Sequence, residues 1–172
     1  YQLSVGGQTK VERTVNTYAY SDFHLLCSPI NNLNIANSFD GSYAYRYIGG
    51  EYDNVYAFDN GITCVNGGGL EISGNDTANT TRVFTGDLNY DGVYNFISTD
   101  QWHLVGNPLP CQLDLTMFNG LNSTEIKPSI YFYNESTGSY DTWNTNLNIG
   151  TGAATRYAAV GQGFFVEEFD SF

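Results

Sequence analysis

The sequence predicts an all-β protein: an antiparallel, jelly-roll-like β-sandwich built from two related halves. Three observations carry this. Helical periodicity is missing almost everywhere, while short alternating runs bounded by Gly, Asn, Asp and Pro recur about every 8 to 12 residues. The chain repeats itself in order. A composition of 41% hydrophobic and 16% aromatic residues over 172 positions is enough to bury a core.

The repeat is legible in three blocks. Phe23-His24-Leu25-Leu26-Cys27-Ser28-Pro29-Ile30 is answered by Trp102-His103-Leu104-Val105-Gly106-Asn107-Pro108-Leu109. Ala44-Tyr45-Arg46-Tyr47 with Gly50-Glu51-Tyr52-Asp53 is answered by Ile130-Tyr131-Phe132-Tyr133 with Gly138-Ser139-Tyr140-Asp141. Gly67-Gly68-Gly69-Leu70-Glu71-Ile72 is answered by Gly161-Gln162-Gly163-Phe164-Phe165-Val166. The expected organisation is one sandwich domain over 1–172, with 1–21 as leading edge strands, 22–96 as the first half and 101–172 as the second. A motif that occurs twice in a small chain points to scaffold more than to an active site.

Along the chain, the alternating runs Gln2–Val5 and Thr9–Val15 read as edge strands. Phe23–Cys27 and Trp102–Val105 are strands ended by Ser28-Pro29 and Asn107-Pro108, because proline has no N–H for the ladder. Tyr43–Ile48, Asn54–Phe58, Ser129–Tyr133 and Asp141–Trp143 are the aromatic strands. Gly69–Ile72 and Gly163–Glu167 follow glycines that permit a bulge or close backbone approach. Thr81–Asn89 and Val93–Ile97 flank Asp91-Gly92, which supplies the positive φ of a tight hairpin. Leu113–Phe118 is the one segment with the pattern of a helical turn.

Six basic against eighteen acidic residues give a net charge of -12, which repels phosphate backbones and anionic headgroups. Nucleic acid and membrane insertion are therefore not expected, and no apolar run reaches the roughly 18 to 20 residues of a span. With only two lysines and many Asp, Asn, Thr, Ser, Gly and Tyr residues, the composition has an extracellular character. The absence of Met before Tyr1 fits a processed or excised piece. Cys27, Cys64 and Cys111 have no metal-like spacing; one disulfide plus a buried thiol, or three buried thiols, are both compatible with them.

Candidate chemistry is sparse. Asp87-Leu88-Asn89-Tyr90-Asp91-Gly92 fits the opening of a calcium loop, with Asp87, Asn89 and Asp91 as ligands, but Ser98 stands where the bidentate acid belongs. A plain hairpin turn fits better, so no cofactor is expected, calcium being the single candidate. His24 and His103 take equivalent positions, expected opposite the apolar face, which does not favour a metal pair. Tyr43, Tyr45 and Tyr47, with Tyr131 and Tyr133, share strand faces by period two. With Tyr52, Tyr140 and Trp143 they form a candidate aromatic platform for sugar rings. Asn75, Asn79, Asn122 and Asn134 open N-glycosylation sequons. No G-x-S-x-G elbow, phosphate loop or zinc pair occurs, and nothing singles out Glu167-Glu168 as acids, so an enzyme is not expected.

Trp102-His103-Leu104-Val105-Gly106-Asn107-Pro108, Ile130-Tyr131-Phe132-Tyr133 and Gly161-Gln162-Gly163-Phe164-Phe165-Val166 resemble a "W-x-L-v-G-N-P … i-Y-v-w … Q-G-F-F-V" module of large Bacteroidetes surface proteins. Val11-Glu12-Arg13 and Phe23 to Pro29 are similar to that module's opening. Leu109 departs from its usual aromatic and Cys27 from its usual Ser. The resemblance implies type IX secretion, a cell-surface location and a non-catalytic structural or adhesion role, either alongside other domains of a larger protein or with copies of itself. Its alternatives are a carbohydrate-binding appendage to a secreted hydrolase and a self-assembling filament subunit. It also gives Asp76-Thr77-Ala78 the form of a Bacteroidetes O-glycosylation site at Thr77, and reads Phe84 to Asn95 as a hairpin.

Overall fold

The computed structural model describes residues 9–16, 23–31, 33–34, 42–48, 50–56, 63–64, 68–74, 79–90 and 101–169. In chain order the leading segment contributes β1 (Thr9–Asn16), and the first half β2 (Phe23–Cys27), β3 (Leu33–Asn34), β4 (Ser42–Ile48), β5 (Glu51–Tyr56), β6 (Thr63–Cys64), β7 (Gly69–Gly74) and β8 (Asn79–Gly86). The second half contributes β9 (Trp102–Gly106), β10 (Leu113–Asp114), α1 (Leu115–Leu121), β11 (Ile126–Asn134), β12 (Ser139–Asn144), β13 (Ile149–Gly150), β14 (Tyr157–Ala158) and β15 (Gly163–Glu168). The expected strands Gln2–Val5 and Val93–Ile97 lie outside the described residues.

The two principal sheets have the same topology. One runs β2-β7-β4-β5; the other, read from its opposite edge, runs β9-β15-β11-β12 and adds β13. The likeness extends to register. Cys27 faces Gly69 and Leu25 faces Glu71, while Gly106 faces Gly163 and Leu104 faces Phe165. Tyr47 faces Tyr52, and Tyr133 faces Tyr140. The fold is thus an all-β sandwich of two related halves, and the matched blocks of sequence are matched strand pairs.

Strand alternation divides the apolar residues into three layers. Leu26, Ala44, Leu70, Ile72 and Phe84 fill a core behind the first sheet. Ile126, Ile130, Phe132, Trp143, Phe164 and Val166 fill one behind the second. Between the sheets lies an aromatic layer of Leu25, Leu104 and Phe165 with Phe23, Tyr47, Trp102, Tyr131 and Tyr133. β15 is covered on both sides, which is why Gly163-Phe164-Phe165-Val166 reads as a continuous apolar run. Complete burial of Phe164 alone contributes roughly 1.5 to 3 kcal/mol.

β1 does not extend either sheet. It pairs along its length with β8 as a separate ribbon, and Val11 and Phe84 close the first core. The helix begins two residues later than the sequence pattern predicts, because Asp114 caps it. Its carboxylate accepts from Thr116 N at 3.0 Å and Met117 N at 3.4 Å. Arg156 forks onto the same carboxylate at 2.6 to 3.1 Å, tying the cap to the approach to β14.

The halves meet through a reciprocal contact. Leu26 bridges to Gln162 and Val105 bridges to Gly68, and each residue of the first pair is the repeat equivalent of one in the second. A Cβ at Gly163 would lie 2.7 Å from Leu25 C and Leu26 N; one at Gly69 would lie 2.9 Å from Val105 O. This exchange of equivalent partners is the property of a two-fold, isologous interface, here internal to one chain. Both glycines are required by close approach.

Candidate functional site

The aromatic layer opens at one side into a cleft of about 380 Å³ lined by Tyr47, Tyr52, Trp102, Tyr131, Tyr140 and Phe165. Two of these come from the first half and four from the second, so the cleft exists only where the halves meet. Its rings are held edge to face: Tyr47 against Phe165 at 5.2 Å, Trp102 against Tyr131 at 5.0 Å and Tyr140 against Phe165 at 5.9 Å between centroids. Edge-to-face pairing fixes each ring through its neighbour's quadrupole. Tyr52 and Tyr140 form the rim, at 40% and 44% exposure.

A carboxyl stands behind the rim. The Tyr52 hydroxyl is hydrogen-bonded both to Glu71 and to Tyr140. The Glu71 carboxylate only accepts, so Tyr52 donates to it. Burial pushes Glu71 above the usual carboxylate range while the Tyr52 bond opposes the shift. Burial and the nearby acid raise the Tyr52 hydroxyl too.

The expected platform is brought together in part. Tyr47, Tyr52, Tyr131 and Tyr140 line the cleft, and Tyr133 stacks on Phe23 at 4.0 Å just behind it. Tyr45, register partner of Glu71, is half-buried and not part of the lining. Trp143 is a correction: it pairs with Ile130 and points into the core behind the second sheet, so it offers no ring to a ligand. Trp102 and Phe165 belong to the cleft although the tyrosine periodicity does not include them. Both lie in duplicated strands; Phe165 is the register partner of Tyr131, and Trp102 lies one strand further on, opposite Glu167.

His24 and His103 are buried at 1% and 4% exposure instead of lying opposite the apolar face. Each meets a carboxylate: His24 Nδ1 bonds Glu135 Oε1, and His103 Nε2 lies 3.2 Å from Glu168 Oε1. Arg13 joins the first pair electrostatically and donates to Val160 O at 2.5 Å. Burial lowers the Arg13 guanidinium from its ordinary value, and Glu135 opposes that. These groups fasten the β1–β8 ribbon and β2 to the second half.

Of the calcium-loop residues, Asp87 is exposed, the Asn89 side chain is fully buried, and Asp91 lies outside the described residues. The backbone of 87–89 is held extended: Asn31 N donates to Asp87 O and Asn89 N to Pro29 O. Among the described residues no three His, Cys, Asp or Glu side chains converge as a metal site. Asn75 and Thr77 lie outside the described residues, and Asn79 opens β8. The amides of Asn122 and Asn134 are engaged, donating to Phe118 O at 2.7 Å and Asp141 Oδ2 at 2.8 Å, so a glycan on either would displace a structural bond. Neither Cys27, which is buried, nor Cys111, which is exposed, is in a disulfide, and the exposed Cys111 corrects the expectation that a cysteine outside a disulfide is buried.

A second concavity, of about 690 Å³, lies on the second half among Asn134, Glu135, Asp141, Tyr157 and Gln162. Its acids are already committed. Asp141 accepts from Asn134 and from Ala153 N at 2.7 Å, and Glu135 is bonded to His24. The aromatic cleft, by contrast, is lined by aromatic side chains alone. Among the described residues no helix is long and apolar enough to cross a membrane. Comparison with protein-family models, with characterised proteins and with solved structures gives no match to this chain.

Proposed function

We propose that this chain is a non-catalytic adhesion module of a secreted, cell-surface protein, and that it engages glycans through the aromatic cleft. One observation carries the reading: six aromatic side chains from both halves converge on one opening. Pyranose rings present apolar C–H faces edged by hydroxyls, and tyrosines offer apolar faces with polar tips, so each matches the other. The motif resemblance to Bacteroidetes surface modules supports the type IX, extracellular setting. Other domains of a larger protein, or copies of the module, would supply avidity to a site of this modest size.

The test is calorimetric titration of the whole chain against a panel of oligosaccharides, with Tyr52→Ala and Tyr140→Ala as rim variants. Both side chains are half exposed, so the fold survives their loss. Saturable binding to at least one oligosaccharide, weakened about tenfold or more in each variant, is the expected result. Equal affinity in wild type and variants would move the site elsewhere.

A further inference from the structure

We propose that the aromatic cleft selects a positively charged sugar, an amino sugar bearing a free ammonium group, over its neutral counterpart, and that Glu71 sets this preference. The inference rests on the glycan reading above and names the substrate class of that same site. Ring faces carry negative quadrupole potential, so an ammonium group over several Tyr, Trp and Phe faces is attracted in a way a hydroxyl is not. Six such rings line this opening.

The distribution of cations supports it. All six basic side chains are accounted for elsewhere. Arg46 pairs with Asp53, Lys127 with Glu167 and Arg156 with Asp114. Arg13 donates to Val160 O, Arg82 is buried on β8, and Lys10 is exposed on β1. None lines the cleft, so nothing there repels a positive ligand. A carboxyl, that of Glu71, is tied to its rim through the Tyr140–Tyr52–Glu71 chain of hydrogen bonds, and the net charge of -12 draws cations toward the surface.

Glu71 is the point at which the two halves differ in the aromatic layer. Its repeat equivalent is Phe165, which faces Leu104 as Glu71 faces Leu25. A half-buried carboxyl stands where the other half carries Phe, hydrogen-bonded to the rim hydroxyl of Tyr52. There it is a countercharge for a cation held over the rings.

The experiment titrates wild type with glucosamine hexamer and N-acetylglucosamine hexamer, at a pH where the free amine is protonated. Glu71→Gln and Tyr52→Phe, each close in shape to the original, are titrated beside it. The glucosamine oligomer is expected to bind about tenfold more tightly, a preference that falls toward one in Glu71→Gln and shrinks in Tyr52→Phe. Equal binding of both oligomers to wild type overturns the charge preference and leaves the glycan reading standing. Binding of neither overturns both. A preference that survives Glu71→Gln removes Glu71 from the role and overturns the inference as stated.

Discussion

Cys27 and Gly106 occupy the same position in the two halves and face each other where those halves meet. A Cβ placed on Gly106 would run into the Cβ of Cys27. In an isologous interface, a residue that contacts its own equivalent lies beside the two-fold axis. Two side chains cannot share that space, so one half must carry glycine. The mismatch in an otherwise faithful repeat is therefore imposed by the symmetry.

The pair is energetically coupled. Gly106→Ala is expected to destabilise by about 1 to 3 kcal/mol through overpacking. Cys27→Gly in the same chain should recover part of that, leaving a remainder because Gln162 O also crowds the new methyl at 2.6 Å. Urea unfolding of both single variants and the double variant gives the coupling energy, expected at about 0.5 to 3 kcal/mol. Gly163→Ala is the contrast: its methyl would meet backbone at 2.7 Å, so the Cys27 substitution should not relieve it. Strict additivity of Gly106→Ala and Cys27→Gly would refute the shared-space account.

Much of the scaffold is legible in the sequence because duplication and strand alternation act on neighbouring residues. Ser28 and Asn107 show how far this goes. Each stands before a proline at the end of its strand, and each accepts from the backbone two residues on, Ile30 N at 3.1 Å and Leu109 N at 3.0 Å. The cleft is less legible, since it depends on which faces the two sheets turn toward each other. Period two groups Tyr131 with Tyr133 correctly, yet it cannot say that Trp143, one strand over, faces the opposite core. His24 escapes for the same reason: its carboxylate partner Glu135 is 111 positions away in sequence.

Glu135 fastens the first half to the second, and its removal should loosen that join. The variant Glu135→Ala leaves His24 and Arg13 buried without their acid. A hydrogen bond to a charged group is worth about 1.5 to 3 kcal/mol, and the low end applies here because the Glu135 side chain is 37% exposed. Hydrogen exchange should report faster opening of β1 and β8 while β11 and β15 keep their protection. Uniform acceleration over all strands would mean that Glu135 contributes to global stability without acting as a local tie.

Two acids pull the pH dependence of stability in opposite directions. Asp114 is held below its ordinary range, chiefly by its hydrogen bonds to Arg156, so its stabilisation is present at neutral pH and lost as pH falls through the depressed value. Glu71 is raised by burial, so the folded chain keeps a proton there that the unfolded chain has released. Its contribution is most favourable in acid, declines as pH rises from the ordinary glutamate range through the raised value, and is level above it. Glu71→Gln removes this term and leaves Asp114 untouched, so the difference between wild type and variant isolates Glu71. The variant should be the more stable protein at neutral pH, and its advantage should vanish in acid. A stability difference that does not change across that window would show that the Glu71 carboxyl is solvated and plays no part in the buried chain of hydroxyls.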